Sequence, residues 1–210
     1  MACVLVDAAS GNLHSAAKAF ERMARETGGA QIVVSSRPED IAAADRLVVP
    51  GDGAFPACRR ELLGNPGIEE ALREAVERRA VPFLGICVGM QMLATLGREH
   101  KTTPGFGWVP GTVDRIDAPG LKVPHMGWND LVVERAHPVL EGVATGDHAY
   151  FVHSYAMRVD DPADRLAHAE YGGAVTAVVA RGNVVGTQFH PEKSQRAGLR
   201  IIANFLGWRP

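Results

Sequence analysis

Apolar and polar residues alternate along this chain in two rhythms. From Cys3 to Leu93, short solid apolar runs recur: Cys3-Val4-Leu5-Val6, Ile32-Val33-Val34, Leu47-Val48-Val49 and Val81-Pro82-Phe83-Leu84-Gly85-Ile86. Runs of this length, bounded by Gly and Pro, predict strands buried on both faces. Helical spacing occupies the intervals, over Ser15–Arg25 (stopped by Gly28-Gly29), around Ala57–Leu63 and over Gly67–Arg79. An apolar helix is expected after Ile86 as well. Strands alternating with helices predict a parallel sheet covered on both faces. Sites in such sheets lie beyond the carboxyl ends of the strands. The loops after Val6, Val49 and Ile86 should therefore share one rim.

The rhythm changes after Arg98. Gly105–Val109, Gly111–Ile116, Leu121–Val123 and Leu131–Glu134 are short apolar-polar pieces separated by Gly and Pro, which predict antiparallel strands and turns. His137–Gly142 reads as a helical turn and Tyr150–Tyr155 as a strand. Arg165–Glu170, Ala174–Ala180 and Val184–Phe189 read as further strands, the last two joined by a Gly182-Asn183 hairpin. Gln195–Leu206 closes the chain as an amphipathic helix with Leu199, Ile202 and Phe205 near helical spacing. The expected fold class is α/β: a mostly parallel central sheet covered by helices, with antiparallel strands in the second half. No linker composition marks a boundary, so residues 1–210 are expected to form a single domain.

Composition narrows the function classes. The 22 basic and 24 acidic residues argue against nucleic-acid binding by bulk charge. Cys3, Cys58 and Cys87 form an odd set without paired spacing, which suits a reducing compartment. No signal peptide or bilayer-length apolar run is recognisable, so the expectation is a soluble cytoplasmic protein with no membrane association.

The chemistry centres on Gly85-Ile86-Cys87-Val88-Gly89, where strand becomes helix. The arrangement resembles a nucleophile elbow, in which a strained turn lifts a nucleophile above the sheet and small flanking residues let strand and helix close up. A sulfur on the first turn of a helix also faces the positive end of the helix dipole, which favours negative charge. A nucleophilic thiol needs a base, and the base an orienting group. His190-Pro191-Glu192 supplies both, because residues two apart in extended chain point to one side. The seven other histidines lack a carboxylate at that spacing in a strand-end context. An oxyanion hole would combine the Val88 N–H with a backbone donor from Gly51-Asp52-Gly53. No phosphate-cradling loop and no zinc-ligand spacing occurs, so neither a cofactor nor a metal is expected.

Gly85-Ile86-Cys87-Val88-Gly89-Met90-Gln91 together with Phe189-His190-Pro191-Glu192 resembles the class I glutamine amidotransferases. The segments Ser10–Leu13, Pro50–Phe55, Lys122–Asn129, Tyr150–Tyr155 and Gly186–Gln195 resemble, more narrowly, the glutaminase subunits of imidazole glycerol phosphate synthases. They run nearly end to end. The elbow and the His-Pro-Glu turn mark only the broad class; His125–Asn129 and Lys193–Gln195 are more specific. The resemblance implies a flavodoxin-like layering and a Cys87–His190–Glu192 triad that hydrolyses glutamine to glutamate and ammonia. It implies substrate contacts at Gly53, Gln91, Glu99, His153, Ser154 and Tyr155, and no cofactor. It also implies a heterodimer with a separate cyclase subunit, a (β/α)8 barrel that would meet this chain around Asn12, Trp128, Tyr150 and Lys193. A barrel takes about 250 residues, so this chain cannot contain it too. The chain departs from the family at Ala8-Ala9, where a bulkier or glycine-rich turn is common, and at Asp52, where an apolar residue is usual. A carboxylate beside a developing oxyanion is unfavourable, so Asp52 is expected to face away from Cys87. Competing readings are a glutaminase serving another synthase and a catalytically silent glutamine-binding partner.

Overall fold

In the computed structural model, residues 1–7 and 13–210 are described. The elements run β1 (Ala2–Val6), α1 (Leu13–Thr27), β2 (Gln31–Ser35), α2 (Pro38–Ala43), β3 (Arg46–Gly51), α3 (Phe55–Leu63), α4 (Ile68–Arg73), β4 (Phe83–Cys87) and α5 (Val88–Gln91). They continue through β5 (Leu96–Gly97), β6 (Thr103–Pro104), β7 (Gly111–Arg115), β8 (His125–Asp130), β9 (Val132–Val133), β10 (His148–His153) and β11 (Tyr155–Val159). Last come β12 (Arg165–Glu170), β13 (Ala174–Arg181), β14 (Val184–Thr187) and α6 (Gln195–Gly207).

The main sheet has eight strands in the order β2-β1-β3-β4-β14-β13-β12-β9. Its first five are parallel to their neighbours. The chain then returns antiparallel through β13, β12 and β9. Right-handed crossovers from β1 leftward to β2, then rightward to β3, place α1 and α2 on opposite faces. The helix packing agrees, with α1 against α6 and α2 against α4. This is the flavodoxin-like layering expected from the sequence. Every residue of β3 and of β4 is buried, which explains why these strands read as unbroken apolar runs. In α1 the inward residues Ala16, Phe20, Met23 and Ala24 form one stripe. Phe20 meets Phe205 of α6 edge-on at 6.4 Å. On α6 the core face is Ile201, Ile202, Phe205 and Leu206, whereas Leu199 is only partly buried.

Two smaller sheets, β10-β8 and β11-β7-β5-β6, flank the main one. Several expected elements change here. The helix after Cys87 stops at Gln91, because the Gly105–Val109 stretch is a cap and not a strand. The Phe106 and Val109 N–H groups donate to the Met92 and Leu93 carbonyls, and the Gly107 N–H donates to that of Ala94. Those acceptors would otherwise continue or terminate the helix. Leu121–Val123 is a turn, lying between Pro119 and Pro124, neither of which can donate to a ladder. The Tyr150–Tyr155 run divides at Ser154, where the chain leaves β8 as partner and takes up β7. The Gly182-Asn183 hairpin forms as expected, with Arg181 opposite Val184. Among the described residues, no helix is long and apolar enough to cross a membrane.

Backbone packs closely against backbone where β3 meets the turn after β4. A Cβ on Gly89 would stand 1.9 Å from the Val49 carbonyl oxygen, and one on Gly85 2.5 Å from that of Gly89. Both obstacles are backbone, which cannot move aside as a side chain can. Gly89→Ala should therefore destabilise the fold by about 3 kcal/mol or more, the upper range for overpacking. For a chain of this size that is a fall in melting temperature of roughly 6–12 °C. Gly207→Ala, with nothing within 4 Å of the added carbon, should leave the melting temperature unchanged. Thermal unfolding of the two variants beside wild type checks both expectations.

Candidate active site

Cys87 ends β4 with φ +54° and ψ −110°. That conformation lies outside the wells open to ordinary residues and costs on the order of 1–3 kcal/mol. The surrounding glycines make it attainable by removing every Cβ that would hold strand and helix apart. Gly51 of β3 pairs directly opposite Cys87, and a Cβ there would press to 2.7 Å of the Gly89 nitrogen. Gly51 and Cys87, the expected oxyanion segment and nucleophile, are thus neighbours by sheet register. The Val88 N–H opens α5, where the geometry of a helix start offers it no intrahelical acceptor. With only four residues, α5 carries much less dipole than the sequence reading assumed. Individual neighbours of the sulfur matter more.

The strongest of these is His190. Its Nδ1 lies 2.9 Å from Glu192 Oε1, with the two side chains 2% and 1% exposed. The backbone around it is held at both ends. The His190 N–H donates to the Tyr150 carbonyl, the Ser194 hydroxyl donates to the His190 carbonyl at 2.7 Å, and the Tyr150 N–H donates to that hydroxyl at 2.9 Å. Behind the turn, a Cβ on Gly198 of α6 would meet the Pro191 oxygen at 1.9 Å, so a glycine is required for α6 to seat it. His190 Nε2 is buried without a hydrogen bond of regular geometry, yet the Cys87 sulfur is close enough to act on it. Burial alone would lower the His190 pKa; Cys87 first and Glu192 second oppose it and push it up to about 10. Burial drives the other two thiols the opposite way from reactivity, Cys3 up to about 12 and Cys58 to about 11.

The other anticipated residues fall into two groups. Gly53 adopts φ +113°, and Asp52 beside it is exposed. Glu99 Oε2 accepts the Phe55 N–H at 2.7 Å, which caps α3 in place of an N-cap side chain and fixes the loop after β3. Gln91 is buried, and both its N–H bonds are committed, to the Tyr155 carbonyl at 2.9 Å and to Gln188 Oε1 at 3.0 Å. His153 is also fully engaged, with Nδ1 against the Tyr155 carbonyl and Nε2 against His125 Nδ1. Burial lowers both the His125 and the His153 pKa to about 4. Ser154, half-buried, gives its carbonyl to the Ile116 N–H. Gln91 and His153 thus meet at the Tyr155 carbonyl in a hydrogen-bonded framework that reaches Gln188.

Trp128 and Tyr150 pair across the β8–β10 ribbon with their rings edge-on at 5.8 Å. Trp128 and Met126, on the outward side of β8, are 48% and 62% exposed. Lys193 lies on the same turn as His190, and Asn12 lies outside the described residues. Sequence reasoning missed Gln188, whose Nε2 reaches to 3.7 Å from Cys87 Sγ. The signal was present: Gln188, His190 and Glu192 are each two residues apart, the spacing already used for the last two. The contribution of Gly198 had no such signal, because it depends on helix against turn.

Comparisons with known proteins agree with this geometry. The profile described as "Glutamine amidotransferase class-I" matches residues 4–207. The chain is 67% identical to "Imidazole glycerol phosphate synthase subunit HisH" of Cereibacter sphaeroides and 62% identical to the protein of that name in Ruegeria pomeroyi, in each case over 100% of both chains. Among solved structures, one described as a glutamine amidotransferase is 26% identical, covers 98% of this chain and 99% of its own, and superposes with a TM-score of 0.73. A glutamine amidotransferase from Thermotoga maritima gives 0.64 at 18% identity, over 99% of this chain and 83% of its own. With an elbow cysteine, a buried histidine–carboxylate pair and a profile match over nearly its whole length, the chain belongs to the class-I glutamine amidotransferase family.

Proposed function

We propose that this chain is the glutaminase subunit of an imidazole glycerol phosphate synthase, with Cys87, His190 and Glu192 as its triad. The carrying observation is the buried His190–Glu192 pair beside a strained elbow cysteine, in a chain that matches HisH subunits over their full length. The Cys87 sulfur attacks the side-chain carbonyl carbon of glutamine. The developing oxyanion is held by the Val88 N–H and a donor from Gly51–Gly53. His190 Nε2 gives its proton to the leaving nitrogen, the C–N bond breaks and ammonia departs, leaving a glutamyl thioester. His190 then takes a proton from water, whose oxygen attacks the thioester and releases glutamate and the thiol. Glu192 holds the imidazole in the required orientation throughout. Gly53, Gln91, Glu99 and the His153–Tyr155 stretch shape the glutamine site, and none of these steps calls for a metal or cofactor.

The ammonia passes to a cyclase subunit, a (β/α)8 barrel, in a cytoplasmic heterodimer; the word "subunit" in the relatives' name supports such a partner. Asn12, Trp128, Tyr150 and Lys193 form its docking face, supported by exposed Met126 and Trp128 beside Tyr150. Glutaminases of other synthases are disfavoured by the relatives' shared name, and a silent binding protein by the intact triad.

Cys87→Ala should abolish glutamine hydrolysis in the partner-bound enzyme without unfolding it. Near-normal turnover would overturn the triad. The same variant removes a group that raises the His190 pKa, so an NMR titration should find the imidazole midpoint near 10 in wild type and lower in Cys87→Ala. A raised folded-state value stabilises the fold fully below pH 6.5, and this contribution is lost as pH rises toward 10. Wild type should show that decline in stability more strongly than Cys87→Ala. Charge reversal by Lys193→Glu should weaken association with the cyclase by about tenfold or more, or uncouple the two activities. Titration calorimetry and partner-stimulated glutaminase rates would show it; no change in either would remove Lys193 from the interface.

A further inference from the structure

The Cys87 sulfur has a second polar neighbour, on the strand end that also carries His190. Gln188 is wholly buried, and its Nε2 points at Cys87 Sγ from 3.7 Å, within the range of a hydrogen bond to sulfur. The direction of that amide follows from donor and acceptor bookkeeping along a buried chain. The Tyr155 carbonyl can only accept. Both groups that face it, His153 Nδ1 and the Gln91 amide, must therefore donate to it. The amide end of Gln91 at that point is its NH2, whose second N–H must find an acceptor in Gln188, at 3.0 Å. Gln188 thus turns its oxygen to Gln91 and its NH2 to the sulfur. On the other side, a neutral His153 protonated on Nδ1 accepts on Nε2, so His125 Nδ1 donates. His125 Nε2 then accepts from the Asn129 NH2, whose other N–H donates to the Glu170 carbonyl. No link in this chain can be reversed without setting two donors or two acceptors face to face. Burial keeps both histidines neutral at physiological pH, as this pattern requires.

We infer that the Gln188 carboxamide is a holder of the nucleophile: it donates an N–H to the Cys87 sulfur, stabilises its anionic form and aims it, in an orientation imposed by the Tyr155 carbonyl acting through the Gln91 amide. The inference rests on Cys87 being the nucleophile. A neutral donor suits the position. It stabilises an anion without offering a second acid beside His190, so the proton for the leaving nitrogen still comes from one place. Loss of the donor raises the energy of the thiolate relative to the thiol. A hydrogen bond to a charged acceptor is worth enough for a rise of about one to two units in the sulfur's titration midpoint.

The test is the rate of Cys87 alkylation by iodoacetamide in the full chain as a function of pH, with the modified peptide identified by mass spectrometry. The titratable groups facing the sulfur are His190 and Cys58, with Glu192 and His153 behind His190. Gln188→Met changes none of their charges and nearly preserves volume, so a shift in midpoint reports the lost donor. The midpoint should rise by about one to two units in this variant, with kcat for glutamine falling more than KM. If Gln188→Met fails to fold, Gln188→Leu, likewise neutral and without a donor, should also raise the midpoint. An unchanged midpoint in a folded variant would overturn the inference and leave Gln188 a packing residue. This readout needs no turnover, so it fails separately from the triad, which stands or falls on hydrolysis by Cys87→Ala.

Discussion

The contact on which the rest depends is backbone against backbone, where the turn after β4 presses on β3 with no side chain between them. Gly89 faces the Val49 carbonyl, and Gly51 faces the Gly89 nitrogen. That approach makes the elbow tight enough to force Cys87 into positive φ, and the register brings Gly51 opposite the sulfur. Strain of this kind persists only where its surroundings over-determine it. Here they do, because β3 and β4 are fully buried central strands, and a shift of either would expose apolar surface at about 25 cal/mol per Å².

The second half of the chain contributes His190, the proposed base, by a different route. His190 does not sit on a rigid element of its own; it follows β14 and is clamped by Tyr150 of β10 and by Ser194. Its protonation reflects a contest that burial loses to two neighbours, the sulfur and Glu192. The strand that holds the base also carries Tyr150, and β8 beside it carries exposed Trp128. Inward-facing residues of the same ribbon, His125 and Asn129, join His153 in a hydrogen-bonded cluster that reaches the Tyr155 carbonyl. One face of a two-stranded ribbon thus meets solvent while the other turns inward. This follows from the period-two alternation of strand side chains.

Much of the first half was legible because its signals are local. A buried parallel strand must be apolar on both faces, and Gly and Pro mark its ends, so β1 to β4 and the elbow could be read directly. His190 and Glu192 were legible for the same reason, being two residues apart in one extended segment. The strand β8 and the division of Tyr150–Tyr155 between two partners were not, because pairing partners far away in the chain decide them. The end of α5 was not legible for a related reason: it is set by N–H groups from Gly105–Val109, which the local apolar pattern does not report.

The sequence by itself determined the layered α/β order, the position of Cys87 between glycines and the pairing of His190 with Glu192, since each is written in residue type and near-neighbour spacing. Only the tertiary structure decided which carbonyl Gly89 must avoid, that Gly198 seats the His190 turn, that Glu99 caps α3, and that Gln188 turns its NH2 to the sulfur. Those outcomes depend on steric exclusion and on donor–acceptor matching between segments up to about a hundred residues apart, and neither quantity is defined until the chain has folded.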